Sequence, residues 1–313
     1  MLRLRSILRP SPINTMTSMK TSMCSTSGAG TFKLALCQIL VSDDKKKNIA
    51  AAQDAVTIAA SNGANMIALP ECWNSPYATV SFPQYAEEIP TKASSLQEKE
   101  HPSTFAMSTL AQRLQVYLIG GSIPERCGSD IYNTSVLFAP TGEILGKHRK
   151  MHLFDIDVPG KITFKESETL SHGGQVSVCD MSYCKVGVAI CYDIRFPELS
   201  MLMREKQAKL LIFPGAFNMT TGPAHWELLA RARAVDNQLY VAVVSPARNP
   251  SSKYQAWGHS SIISPWGEVI STCEHDEAII YADINLAEVD GMRRNIPTMS
   301  QRRTDVYRLV QHE

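Results

Sequence analysis

The sequence predicts an α/β fold in which mixed sheets are covered by helices, and three observations carry that expectation. Short apolar runs of strand length recur, among them residues 66–69, 186–190 and 209–213, and several end in polar or turn-forming residues. Longer stretches between them repeat apolar residues at helical spacing. Some neighbouring runs are joined by tight-turn signals, notably at Thr141-Gly142. Strands that alternate with helices, interrupted by hairpins, imply mixed sheets with helices on their faces.

Taken in order, residues 32–40 read as the first strand. Residues 46–62 place Ile49, Ala52, Val56 and Ala59 on one helical stripe, with Gly63 as its stop. Residues 65–69 form the next strand, and residues 103–115 a helix with Ser103 as its cap. Residues 116–122 are a strand running into Gly120-Gly121, and residues 132–139 with 143–147 make a hairpin. The segment that follows, with His148 and His152, reads as a loop. Residues 176–180 and 185–190 form another strand pair. Residues 196–206 are helical, 209–213 a strand and 224–237 a helix. Strands at 239–244, 260–263, 268–272 and 278–284 follow, and a last helix begins near Leu286.

Three residues stand where such strands run out. Cys191 follows the apolar run 186–190, in Ile-Cys-Tyr-Asp. Glu71 follows residues 66–69, where Pro70 removes a backbone donor and stops the ladder. Lys150 ends the cationic stretch Lys147-His-Arg-Lys150 after the hairpin. Functional groups of α/β proteins gather at strand ends. Singly, each has an ordinary reading: most unpaired cysteines are small buried hydrophobes, a glutamate caps a turn, and a lysine is a solvated charge.

Together, Leu-Pro-Glu71, His-Arg-Lys150 and Ile-Cys191-Tyr-Asp resemble the nitrilase, or carbon–nitrogen hydrolase, superfamily in residue type, order and spacing, over about residues 32–310. A closer resemblance, to its ω-amidase branch, rests on Asn74-Ser-Pro-Tyr77, on the stretch from Lys147 to Ser167, on that from Gly215 to Leu229, and on Ser245-Pro-Ala-Arg248. The resemblance implies an α-β-β-α sandwich dimerising to αββααββα, with helices 196–206 and 224–237 as the candidate dimer face. It also implies a Glu71–Lys150–Cys191 triad acting on short 2-oxo dicarboxylic acid monoamides. Glu71 would be base and acid, Lys150 and the Tyr192 amide the oxyanion donors, and Glu166 a second, orienting glutamate. For the substrate, Arg195, Tyr77, Thr220 and Thr221 are candidates to meet a carboxylate, and Phe217 to wall the pocket with His225 and Trp226. Arg195 reads equally as a structural ion-pair partner, and His225 and Trp226 as packing residues. The rival within the family is a deaminated glutathione amidase or another carbon–nitrogen hydrolase with the same triad. The rival outside it is a non-catalytic scaffold, which the intact triad opposes.

Composition sets the remaining bounds. A chain of 313 residues with a hydrophobic fraction of 44% supports a sizeable core. No Pro/Gly/Ser-rich linker breaks residues 32–313, which read as one domain. A net charge of +1, without a basic stripe, argues against nucleic acid. The run Lys45-Lys-Lys47 reads as the start of a solvated helix. No run approaches the length of a membrane helix. Eight cysteines without a secretory segment point to a reducing compartment. Cys179-x4-Cys184, and His148 with His152, fit no familiar zinc pattern, so neither metal nor organic cofactor is expected. A homodimer acting on a small amide is the expected assembly. Residues 1–31 are basic, free of acidic residues and rich in Ser, Thr and Met. They read as a mitochondrial transit peptide or a plain disordered tail, with Met16, Met19 and Met23 as later starts for a cytoplasmic form.

Overall fold

The computed structural model describes residues 30–160 and 162–312. The targeting-tail expectation covers residues 1–31; residues 1–29 lie outside the described residues, and Thr31 belongs to the first strand, opposite Asn285. The first sheet contains β1 (Thr31–Gln38), β2 (Met66–Ala68), β3 (Tyr117–Ile119), β4 (Ile123–Cys127), β5 (Asp130–Phe138), β6 (Ile144–Arg149) and β15 (Ala278–Asn285). Its order is β15-β1-β2-β3-β5-β4, with β6 also paired to β5. The neighbours β1, β2 and β3 run parallel. Parallel neighbours require long crossovers. Helix α1 (Lys45–Ser61) supplies the first, and the short α2 (Phe82–Tyr85) and the longer α3 (Pro102–Leu114) the second.

A small hairpin, β7 (Asp155–Val158) and β8 (Ile162–Lys165), links the halves. The second sheet follows with β9 (Val178–Met181), β10 (Cys184–Val188), β11 (Leu210–Pro214), β12 (Tyr240–Val244), β13 (Ser261–Ile263) and β14 (Val269–Thr272), ordered β14-β13-β12-β11-β10-β9. Here β10, β11 and β12 are the parallel core. Helices α4 (Pro197–Glu205) and α5 (Gly222–Asn237) are its crossovers, and α6 (Leu286–Asn295) follows β15.

Alternate residues of each strand face opposite sides, and this period builds the layers. Leu34, Leu36 and Met66 of the first sheet meet Val186, Val188 and Ile212 of the second in one buried core. The other face of the first sheet, with Ala35, Ile67 and Leu118, packs on Val56 of α1 and Met107 and Leu110 of α3. The other face of the second, with Leu211, Phe213 and Val241, packs on Met203 of α4 and Trp226 and Ala230 of α5. The result is the expected four-layer α-β-β-α sandwich. Each fully buried large apolar side chain contributes about 1.5–3 kcal/mol.

Local departures from the sequence reading have identifiable causes. Helix α3 starts at Pro102, and Ser103 is not its cap. The Ser103 hydroxyl instead donates to Glu87 at 2.6 Å, and the same carboxylate accepts the Ser103 amide. His148 lies in β6, not in a loop, and is fully buried. The polar run Ile-Pro-Glu-Arg-Cys forms β4, an assignment that its single large apolar residue conceals. Asp44 caps α1 by accepting the Lys46 and Lys47 amides, so the lysine run opens a helix as expected, against the unfavourable charge at that end.

Candidate active site

The loops after β2, β6, β10 and β11 converge. Glu71 follows β2 directly, and the backbone turns at Cys72, with φ of 48°. The turn is tight because Gly121 lies against it. Its φ is 60°, and a Cβ there would stand 2.2 Å from the Pro70 carbonyl oxygen. The Trp73 indole donates to the Gly120 carbonyl at 2.7 Å and closes the arch.

Cys191 stands in the matching position on the second sheet. It opens a 3₁₀ turn, Cys191–Arg195, with φ of 47°. A non-glycine residue in this region costs on the order of 1–3 kcal/mol and persists only where surrounding structure imposes it. The first bond of the turn runs from the Asp193 N–H to the Ile190 carbonyl at 3.0 Å, which leaves the Tyr192 N–H outside the turn's own hydrogen bonds. Gly215, after β11, permits the approach: a Cβ there would be 3.2 Å from the Cys191 Cα.

Lys150 follows β6 directly, and its amide donates to the Asn133 carbonyl of β5 at 2.8 Å. Its side chain is fully buried. Nζ donates to Glu71 Oε1 at 3.0 Å and lies 2.8 Å from Glu166 Oε2. Glu166 also accepts the Tyr77 hydroxyl at 2.7 Å and the Phe154 amide at 2.7 Å. Glu71 accepts Asn133 Nδ2 at 2.9 Å through Oε1 and the Ala216 amide at 2.8 Å through Oε2. Its charge bears on the Cys191 thiol, whose proton it favours.

Electrostatics fix the resting protonation. Burial raises the Glu71 carboxyl above its ordinary range against the pull of Lys150. Burial and the facing Glu71 push the Cys191 thiol well up, so at rest it keeps its proton. Burial disfavours the Lys150 charge, but Glu166 and Glu71 outweigh it and hold the ammonium. The arrangement is a protonated nucleophile with a carboxylate base and a fixed cation near it, all three buried. It suits attack on a carbonyl with proton transfer to Glu71.

Asp193, fully buried, ties the parts together. Its Oδ2 accepts the Ile190 N–H at 2.9 Å and lies 3.0 Å from His148 Nε2. Its Oδ1 accepts the His152 N–H at 2.9 Å. The two histidines therefore brace a carboxylate. Among the described residues, the grouping with metal-ligating geometry is His259, Glu274 and His275, none of which lines the cleft described next.

A cleft of about 260 Å³ opens onto Glu71, Cys72, Tyr77 and Tyr254. A small hollow beside it, about 10 Å³, is lined by Cys191, Tyr192, Arg195, Phe217 and Thr221, with Ala216 and Tyr254 lining both. Tyr77, Arg195, Phe217 and Thr221 thus meet at the site. Thr220 does not line it, and its amide donates to Asn218 at 2.9 Å. Trp226 is buried on Phe217 with ring centroids 5.0 Å apart, and its indole donates to the His259 carbonyl. His225 reaches Arg195 instead of walling the pocket. Among the described residues Arg195 has no carboxylate partner within 4.0 Å and its buried Nε no hydrogen-bond partner; its guanidinium lies 4.7 Å from the Phe217 ring centroid.

Sequence reasoning missed Asn133, Ala216, Asp193 and Tyr254. Asn133 had a signal, since asparagine is depleted in strands yet sits within β5. Asp193 follows Cys191 by two positions within the motif already singled out. Ala216 acts through its amide, and Tyr254 lies in a polar loop, so neither had any.

Known proteins place the chain among relatives. Residues 33–294 match the carbon–nitrogen hydrolase family. The chain is 53% identical over 277 residues to "Omega-amidase NIT2" of Mus musculus, covering 88% of this chain and 97% of that one. It is 53% identical over 279 residues to "Omega-amidase, chloroplastic" of Arabidopsis thaliana, covering 89% and 74%. Among solved structures, Nit3 of Saccharomyces cerevisiae, described as a member of branch 10 of the nitrilase superfamily, superposes with a TM-score of 0.79 at 42% identity over 88% of this chain and 97% of that one.

Proposed function

We propose, on the premise that this chain belongs to the carbon–nitrogen hydrolase family, that it is an ω-amidase, releasing ammonia from short 2-oxo dicarboxylic acid monoamides such as 2-oxoglutaramate and 2-oxosuccinamate. Relatives at 53% identity that carry that name support the reaction. The observation that carries the substrate class is Arg195, a half-buried guanidinium beside Cys191 with a buried, unpartnered Nε. Burial holds it below the usual arginine range, and an anion in the hollow would restore what burial costs.

In the mechanism we assign, the thiol attacks the amide carbon as its proton passes to Glu71. The oxyanion faces Lys150 Nζ and the Tyr192 N–H. Losing one such donor typically costs roughly a hundredfold in rate. Glu71 returns the proton to the departing nitrogen as the C–N bond breaks, leaving a thioester and ammonia. It then takes a proton from water, whose oxygen attacks the thioester carbon, and delivers it to the thiolate as acid is released. Glu166 keeps Lys150 aimed. No step draws on a metal or organic cofactor.

The test is kcat/KM, by ammonia release, for 2-oxoglutaramate and succinamate against the neutral butyramide. Strong preference for the acids supports the reading, because donors built for a carboxylate are left unpaired by its absence. Equal values remove it. Faster turnover of deaminated glutathione assigns the protein to the sister activity.

A homodimer in the αββααββα arrangement suits the surface. Leu228 and Val235 of α5 and Trp266 of the β13–β14 turn are exposed together. Sedimentation velocity distinguishes one 34.6 kDa chain from two. Among the described residues no helix is long and apolar enough to cross a membrane, and the net charge of +1 argues against a nucleic-acid partner. The basic, acid-free residues 1–31 support mitochondrial import, and starts at Met16, Met19 or Met23 a cytoplasmic form. Imaging tagged chains from each start separates the two.

A further inference from the structure

We propose that His225 is a positioning residue that aims Arg195 into the hollow beside Cys191, and so sets the preference for acid-bearing amides; this rests on the role assigned to Arg195 above. Arg195 is one turn from the nucleophile, on the 3₁₀ segment, and His225 is in the first turn of α5. Their contact joins two elements across the mouth of the site: Arg195 Nη1 lies 3.1 Å from His225 Nδ1. A guanidinium can only donate, so Nδ1 is the acceptor, and the imidazole carries its proton on Nε2. The guanidinium carbon also stands 4.7 Å from the ring centroid of Phe217 and 5.4 Å from that of Tyr192. Those rings attract a cation but do not fix its rotation.

His225 is therefore the neighbour that sets the direction of the fork. A neutral acceptor suits the task better than a carboxylate. An Asp or Glu in its place would neutralise Arg195 and compete with the substrate's own anion. The imidazole occupies one donor and leaves Nε without a partner. His225 is itself anchored, because its amide donates to the Thr221 carbonyl at 2.9 Å, and Thr221 lines the same hollow. A residue that reads from sequence as packing thus acts on selectivity at one remove.

The experiment measures kcat and KM for succinamate and for butyramide in wild type, His225→Leu, His225→Asn and Arg195→Gln. Asn places Oδ1 at the same bond separation from Cβ as Nδ1 and restores an acceptor; Leu does not. We expect the acid-to-neutral ratio of kcat/KM to fall about tenfold or more in His225→Leu, chiefly through KM for succinamate, and to recover largely in His225→Asn. Should His225→Leu not fold, the Asn variant and a His225→Gln variant, whose acceptor is displaced by one bond, give the same contrast. A ratio lost in Arg195→Gln but kept in His225→Leu overturns the inference and leaves the Arg195 reading standing. A ratio kept in Arg195→Gln overturns that reading itself. Equal losses of kcat on both substrates in His225→Leu show a structural role and also overturn the inference.

Discussion

Asp193 holds His152 twice: one carboxylate oxygen accepts the His152 amide at 2.9 Å and lies 2.8 Å from its ring Nδ1. The other oxygen accepts the Ile190 N–H, so a single buried side chain spans from the residue before the thiol to the segment just past Lys150. The spacing between nucleophile and cation depends on it.

Asp193→Asn is expected to lower kcat by about a hundredfold, since misplacement of reacting groups by roughly an ångström has that effect. Burial alone would raise the Asp193 carboxyl, but hydrogen bonds from His148 and His152 and the Ile190 amide hold it well below the usual range. A lowered carboxyl contributes stability that is present above its unfolded value, about 3.9, and is lost as pH falls through its folded one. The variant should therefore melt lower than wild type at pH 7, with the gap closing under strong acid. A gap independent of pH contradicts the ionised strut.

Lys150→Met removes the cation from between two carboxylates. The rate should fall by roughly a hundredfold or more. Stability should fall too, because Glu71 and Glu166 then face each other buried and unpaired, a situation worth about 3–5 kcal/mol. One of them takes up a proton, so the loss should be smaller at pH 6 than at pH 8 in thermal melts. An unchanged melting temperature at both values would mean the lysine is not buried as described.

The raised Glu71 carboxyl places the acid limb of kcat/KM above the ordinary glutamate value of about 4.3. The Cys191 thiol, pushed up by burial and by Glu71, keeps its proton through the ordinary thiol range near 8.5. No rise in activity near that pH is expected, because Glu71 takes the proton during attack. A wave there, in kcat/KM or in alkylation of Cys191, would indicate a free thiolate nucleophile.

Gly215→Ala tests the close approach behind the thiol. The new methyl would sit 3.0 Å from the Trp226 ring and 3.2 Å from the Cys191 Cα. Trp226 is buried on all sides and has little room to yield. A drop in kcat with little change in KM is expected, and steady-state kinetics beside a thermal melt separate it from simple unfolding.

How much of this was legible in sequence follows from which groups act. Glu71 and Cys191 follow hydrophobic runs and Lys150 a hairpin, and the proposed mechanism uses their side chains. Mixed sheets under helices were legible in the apolar runs and helical stripes; the four layers came from the family resemblance, because strands buried on both faces, such as β11 and β12, read as continuous apolar runs. The β7–β8 hairpin was not: Asp155, Asp157, Thr163 and Lys165 are exposed, and four-residue strands with no deep face leave little pattern. Ser103 looked like a cap because serine caps helices; Glu87, sixteen residues earlier, claims it through a tertiary contact that no local rule contains. His225 looked like packing, since its ring finds its partner in Arg195, which arrives from another element.

The central claim is that Cys191 forms a thioester. Intact-mass measurement after rapid acid quench with succinamate or 2-oxoglutaramate tests it most directly. A covalent acyl adduct, equal to substrate minus ammonia, should appear on wild type, map to the peptide containing Cys191, and be absent from a folded Cys191→Ala protein that no longer releases ammonia. Undiminished ammonia release by Cys191→Ala, or an adduct on another residue, would contradict the mechanism.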